Sequence, residues 1–283
     1  MNHGPCEIHY RIPGRAGGAR PGAHPGRHAG SGEVFAGVAD FFHRPDARRL
    51  ELRRSVLDPF RRLRVRVFEQ PGAVDVVLAA DLSASMGADA NKPRQVAWLI
   101  RALAAGARRL GDRFGFIGFD RRIRRDWTMP PTVATGWAPE WAARLGTTVW
   151  EGVGAEGGLA LAEWLPARPA LVVLVSDFHW PEALLRRVLS RLGRHWVMPV
   201  VLWSGGETED WPDWGIRRVS DAESGRERLV WLRAGWRRRL RRRYEARRRS
   251  LQSVLMAAGA KPLWLGDDID PLVVSRHFQE WAV

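Results

Sequence analysis

Three apolar runs constrain this chain more than anything else in it: residues 74 to 80 ahead of Asp81, "ALVVLVSDF" over 170 to 178, and "WVMPVVLW" over 196 to 203. None alternates apolar with polar residues; the first two read as strands buried on both faces and the third as a further strand, the mark of a parallel sheet covered by helices. The segments between them supply the helices. Over 92 to 111, Val96, Leu99, Ile100, Leu103 and Leu110 fall at helical spacing, and helices are also expected over roughly 155 to 165 and 182 to 193. "RFGFIGFD" (113 to 120) reads as a further strand, with "IRRDWTM" (123 to 129) as an edge partner. The rhythm predicts an α/β fold with a mainly parallel central sheet and helices on both faces.

The flanks depart from that rhythm. Residues 1 to 32 are rich in Gly, Pro, Arg and His, a composition that offers little apolar area and predicts a loop or partly ordered arm. His24 and His28 lie four apart there, but the Gly/Pro setting argues against the helix that would align them on a metal. Residues 33 to 71 read as a β extension, with "RRLELR" and "RLRVRVFE" alternating apolar and basic residues. Residues 72 to 206 hold the α/β domain. Residues 207 to 283 are expected to pack on it as a hairpin turning at Glu223, Ser224 and Gly225, a long helix over 234 to 258 ended by Gly259, a short strand "KPLWLG" and a last helix over 270 to 281.

Composition limits the chemistry. The single cysteine, Cys6, rules out an internal disulfide and a cysteine-built zinc site. With no signal-like N-terminus and no apolar run near the ~20 residues of a membrane helix, a cytoplasmic protein is expected. The net charge is +14, and the base is almost all arginine: the two lysines are Lys92 and Lys261 among forty-five basic residues. Residues 233 to 249 carry ten arginines against one acid, Glu245. Fifteen tryptophans is a high number for the length.

"DLSASMG" begins where the first buried run ends, so Asp81, Ser83 and Ser85 all sit where the chain leaves the strand. Asp177 closes the second run. Ligands of open parallel sheets bind outside the carboxyl ends of the strands, so both ends can face one crevice. Two carboxylates and two hydroxyls form a hard oxygen set, suited to Mg²⁺ or Mn²⁺ (Ca²⁺ being the third candidate) and poorly suited to zinc. The bland alternative is that both aspartates cap helix starts. Two such ends after doubly buried strands favour the site.

Asp81, Ser83 and Ser85 match the metal-ion-dependent adhesion site (MIDAS) of von Willebrand factor type A domains, which the chain resembles from about residue 72 to 206. Upstream, "GEVF" (32 to 35), "PDARRLELRRS" (45 to 55) and "RVRVFEQ" (64 to 70) resemble the lead-in of the MoxR-associated family, domain of unknown function 58. That lead-in carries Ile-Asp-Trp where this chain has Leu50-Glu51-Leu52. The resemblance implies a metal held by Asp81, Ser83 and Ser85, directly or through water, with Asp177 binding it or orienting a water. It also implies a threonine ligand in a Gly-rich loop. "GVGAEGGL" (152 to 159) puts Gly154 at that place, and Thr147 and Thr148 come too early unless the loop is rearranged. Thr148 is the candidate fifth ligand. The further implications are a non-enzymatic, chaperone-like partner of a MoxR-type AAA+ ATPase and maturation of a client by insertion of a metal or cofactor. Methanol dehydrogenase is the client in one branch.

Rival readings carry their own markers. There is no G-x-S-x-G elbow and no phosphate-binding G-x-x-x-x-G-K-[ST] loop. A phosphatase of the haloacid dehalogenase type needs an Asp at the place of Ser83. His179 is the one candidate base. The arginine helix is read as a partner-docking face through Arg237, Arg238, Arg241, Arg242 and Arg248 or, equally, as the plain solvated face of an amphipathic helix, with a nucleic-acid surface ranked below both.

Overall fold

A computed structural model describes residues 7–17, 20–26, 29–203, 214–220, 227–232 and 235–281. Cys6, His28 and the expected turn at Glu223, Ser224 and Gly225 lie outside the described residues, as does the side chain of Arg237. The chain forms two compact units, one of Gly14–Val74 and one of Asp75–Val283 together with the residues up to Pro13.

In the first unit, β1 (Pro21–His24) is followed by β2 (Ala29–Asp40), α1 (Leu52–Val56) and β3 (Arg64–Glu69). β2 and β3 pair antiparallel, with register shifts on either side of Phe35. "RRLELR", expected as a strand, is instead a 3-10 turn over Ala47–Arg49 followed by α1, touching β3 at a single bridge, Leu50 to Val65. Local side-chain bonds override the alternation. Asp46 accepts the Arg48 N–H (3.1 Å), and the Ser55 hydroxyl both donates to Glu51 O (2.8 Å) and accepts the Arg64 N–H (2.8 Å).

The second unit is built on a six-stranded sheet. Its elements are β4 (Asp75–Asp81), α2 (Ala84–Gly87), α3 (Asn91–Leu110), β5 (Arg113–Phe119), β6 (Ile123–Thr132), α4 (Ala138–Thr147), α5 (Leu161–Trp164), β7 (Leu171–Ser176), α6 (Glu182–Arg191), β8 (Trp196–Leu202), a hairpin of β9 (Gly215–Ser220) and β10 (Glu227–Leu232), α7 (Trp236–Ala257), β11 (Leu263–Leu265) and α8 (Pro271–Glu280). The strand order is β11-β8-β7-β4-β5-β6, with every pairing parallel except that of the edge strand β6. Every residue of β4 and β7 is buried, as continuous apolar runs require.

Alternation along β4 feeds two cores. Val77 and Ala79 join a cluster with Leu185, Val188 and Leu189 of α6 and Leu251, Val254 and Leu255 of α7. Val76, Leu78 and Ala80 are buried too but lie outside that cluster, and α3 packs against β4 and β5 with Val96, Leu99, Ile100 and Leu103 fully buried. Helices therefore cover both faces of the mainly parallel sheet. Residues 7 to 12 lie beside α3: the Ile8 N–H donates to Ala102 O (3.3 Å), and the Tyr10 hydroxyl donates to Asp112 (2.6 Å). Gly106 allows the approach, because a Cβ there would collide with Ile8 O.

Two elements differ from the periodicity reading. The helix expected over 155 to 165 is a 3-10 turn, Glu156–Ala160, leading into the single turn of α5. Gly157 is the reason. Its N–H bonds Asp120 O (2.9 Å), and a Cβ would meet the Arg122 backbone at 2.6 Å. α4 is unforeseen. It buries Ala138, Ala142 and Leu145 at helical spacing. Several tryptophans gain a role here: Trp137 stacks on Phe114 (5.5 Å), and Trp141 meets Phe116, Trp127 and Trp137 edge-on.

Candidate functional site

The parallel register brings the ends of β4 and β7 together, with Ala80 beside Val175. Beyond that pair the chain turns outward on both strands, as Asp81-Leu82-Ser83 and as Ser176-Asp177-Phe178. Asp81, Ser83 and Asp177 are all buried.

Asp81 is a hub of hydrogen bonds. Its Oδ1 accepts the Ser83 N–H (2.9 Å), and its Oδ2 accepts both the Ser176 hydroxyl and the Trp180 indole N–H (2.8 Å each). Oδ2 thus has both lone pairs engaged. Burial, and then the neighbouring Asp177 charge, push the Asp81 carboxyl up to about 6 in spite of those bonds. Asp177 behaves oppositely. Burial alone raises it, but the Lys92 ammonium, His179 and the His179 N–H together hold it below the ordinary carboxylate value.

Lys92 supplies the positive charge of the site. It stands in the first turn of α3 with 3% of its side chain exposed, and its Nζ lies 3.0 Å from Asp177 Oδ2. The same ammonium donates to Ser85 O at 3.5 Å, which spans the loops after β4 and β7. A lysine is rarely buried to this degree without a partner. The Ser83 and Ser85 hydroxyls bond each other at 3.1 Å.

Of the sequence-read set, Asp81, Ser83, Ser85 and Asp177 are gathered by these contacts, and Thr148 is not. Thr148 sits exposed after the last turn of α4, where its hydroxyl donates to Arg144 O (2.8 Å), and Thr147 bonds the same carbonyl (3.1 Å). The Gly-rich loop does reach the site, but through its backbone. Gly152 bridges Ser83, the Ala84 N–H donates to Gly152 O (2.7 Å), and a Cβ at Gly152 would strike Asp120 and Leu82. Gly154 has φ +70° and no side chain to offer.

This donor set does not fit a divalent ion in the arrangement described. A hard cation needs about six oxygen ligands. Asp81 Oδ2 is filled, Thr148 is bound elsewhere, and an ammonium is already paired with Asp177. At about 4 Å and an effective dielectric of about 20, that ammonium would repel a divalent ion by about 8 kcal/mol. Among the described residues no group of three or more His, Cys, Asp or Glu could hold a metal.

Lys92, Ser176, Trp180 and Arg247 went unread in the sequence. Arg247 of α7 donates to Phe178 O (2.8 Å), which ties the basic helix to the Asp177 turn. Phe178 is buried at φ +50°, in the left-handed region that favours glycine, so the turn carries backbone strain of about 1–3 kcal/mol. Arg238, Arg241, Arg242 and Arg248 are exposed, and Arg248 lies over the Trp264 ring at 4.7 Å.

A second arginine group borders the same end of the sheet. The turn from β5 to β6 carries Arg121 and Arg122, and β6 carries Arg124 and Arg125. These line a cleft of about 720 Å³ together with Asp126, Glu156, Trp164 and Arg191. Arg124 is paired with Asp120 and Asp126. The exposed side chains of Arg121, Arg122 and Arg125 have no acidic partner among the described residues.

The model of the family described as "Protein of unknown function DUF58" matches residues 60–253. The chain belongs to the DUF58 family. A relative from Paracoccus denitrificans, "Uncharacterized protein in moxR 3'region", is 31% identical over 103 residues, which is 36% of this chain and 98% of that one. Solved structures similar to this DUF58 protein include BatB from Bacteroides thetaiotaomicron (10% identity, TM-score 0.44, 74% of this chain and 99% of that one). Another is a von Willebrand factor type A protein from Catenulispora acidiphila (14% identity, TM-score 0.39, 76% of this chain and 43% of that one). Among the described residues no helix is long and apolar enough to cross a membrane.

Proposed function

We propose that this DUF58 protein is a non-enzymatic interaction protein that partners a MoxR-type AAA+ ATPase and docks acidic surfaces through arginine. Family membership and the relative named for the moxR 3' region support the ATPase as partner. The client is of the kind the resemblance implies, an enzyme completed by insertion of a metal or cofactor, methanol dehydrogenase among them. The observation that carries the docking mode is the trio Arg121, Arg122 and Arg125, which has no acidic partner among the described residues, beside the 720 Å³ cleft. Guanidinium groups without internal acids are free to take bidentate carboxylates from outside. The exposed arginines of α7 add a second basic face.

Binding to the MoxR-type ATPase of the source organism tests this reading. The wild type should bind with an affinity that falls as salt rises, by screening of exposed charge. Charge reversal at Arg121, Arg122 and Arg125 together should weaken it at least about tenfold, since close charge pairs contribute well over 1 kcal/mol each. Unchanged binding by that triple variant, or tighter salt-dependent binding to duplex DNA than to the ATPase, would overturn the proposal.

A further inference from the structure

The Lys92 ammonium stands between the two loops that, by the resemblance, share a metal: it touches Ser85 O in one and Asp177 Oδ2 in the other. We infer that this site carries its own cation, the side chain of Lys92 having taken the place of a divalent ion. Three observations lead there. Lys92 and Asp177 are both almost completely buried, so the pair is part of the interior and not a surface contact. With the ammonium in place the surrounding oxygens are bonded among themselves and not arranged around a metal: Asp81 is engaged by Ser83, Ser176 and Trp180, and the serine hydroxyls bond each other. The residue type is the third. In a chain that meets nearly every need for positive charge with arginine, lysine is kept at this point. An ammonium is a compact point charge with three donors on a flexible stem, and a planar guanidinium of fixed fork geometry is not its equivalent.

The replacement changes what the site does. A metal with open positions can accept a partner's carboxylate. An ammonium buried against Asp177 has no vacancy to offer and acts instead as a strut from α3 to the segments that follow β4 and β7. The site is therefore indifferent to chelators, and removing the strut exposes the oxygens to metal. This inference does not depend on which partner the protein binds.

Titration with Mn²⁺, followed by loss of the free-ion electron paramagnetic resonance signal and by the thermal unfolding midpoint, tests it in wild type and in Lys92→Ala. The wild type should take up no Mn²⁺ at concentrations up to about 1 mM, the weak end of protein oxygen sites, and its midpoint should not move with Mn²⁺ or EDTA. Lys92→Ala should bind one Mn²⁺ at least about tenfold more tightly than wild type and recover stability when it does. Serine removal in that background, Lys92→Ala/Ser83→Ala, should abolish the gain. If Lys92→Ala fails to fold, Lys92→Ser keeps a small polar side chain and serves in its place. Should neither variant fold without metal, rescue of folding by Mn²⁺ supports the inference and failure of Mn²⁺ to rescue overturns it. One-site Mn²⁺ binding by the wild type that disappears in Ser83→Ala overturns it. So does a folded Lys92 variant that takes up no Mn²⁺.

Discussion

Asp81 receives three donors, and two of them, the Ser83 N–H and the Trp180 N–H, cannot turn into acceptors. Replacement by asparagine removes a buried charge but sets an amide N–H against one of those donors. Asp81→Asn should therefore lose about 1–3 kcal/mol in urea unfolding, the cost of a buried polar group left without its partner. A neutral or stabilised variant would mean that the donors are not bonded as described. Breaking the buried Lys92–Asp177 pair should cost more. Lys92→Met is expected to lose about 3–5 kcal/mol, and Lys92→Met/Asp177→Asn less than the sum of its single changes. His195 sets a pH dependence. Burial, and then Arg194, lower its pKa, and its Nδ1 accepts the Ala170 N–H (3.3 Å), so the folded state keeps it neutral. A histidine lowered in this way adds stability above its unfolded value near 6.5, and that stability is lost as the pH falls through the lowered folded value. The difference in unfolding free energy between wild type and His195→Gln should shrink from pH 7.5 to 5.5, and a constant or growing difference would contradict the assignment. The oxygens of the site were legible in "DLSASMG" and "VSDF" because a carboxylate after a buried strand is conspicuous. Lys92 was not, since a lysine in the first turn of a helix ordinarily reads as solvated. Its rarity in an arginine chain was the available signal.

The strands of the central sheet were readable because burial on both faces leaves no other pattern for β4, β7 and β8. Periodicity misled where contacts from elsewhere dominate. The 3-10 turn at Glu156–Ala160 is held by Gly157 against the β5–β6 turn, a tertiary restraint with no local trace. α4 did leave one, in Ala138, Ala142 and Leu145, with a proline at its start, but its Trp-rich lead-in resembles a loop. The long basic helix α7 shows how one element divides its duties. Its C-terminal half buries Leu251, Val254 and Leu255, whereas Arg238, Arg241 and Arg242 stay exposed. Leu255→Ala should cost about 2–5 kcal/mol by denaturant unfolding, as large-to-small changes at full burial do. Arg241→Ala should stay within about 0.5 kcal/mol. Comparable losses at both positions would show that the arginine half is packed and not available for docking.

For the molecule as a whole, the basic charge and the filled interior site point to one division of labour. The Lys92–Asp177 ion pair ties α3 to the end of β7, the Ser176–Asp81 bond ties β7 to β4, and the proposed function gives recognition to arginines outside them, on the β5–β6 turn and on α7. Attachment through a metal would make the protein respond to chelators, whereas attachment through arginine makes it respond to salt. The choice between them rests on what lies between Asp177 and the serines of the first loop. Crystals grown in manganese chloride and measured at the manganese absorption edge address that point directly. No anomalous peak is expected among Asp81, Ser83, Ser85 and Asp177, with the Lys92 ammonium seated on Asp177. A peak bonded to the serine oxygens, with Lys92 turned away, would contradict it.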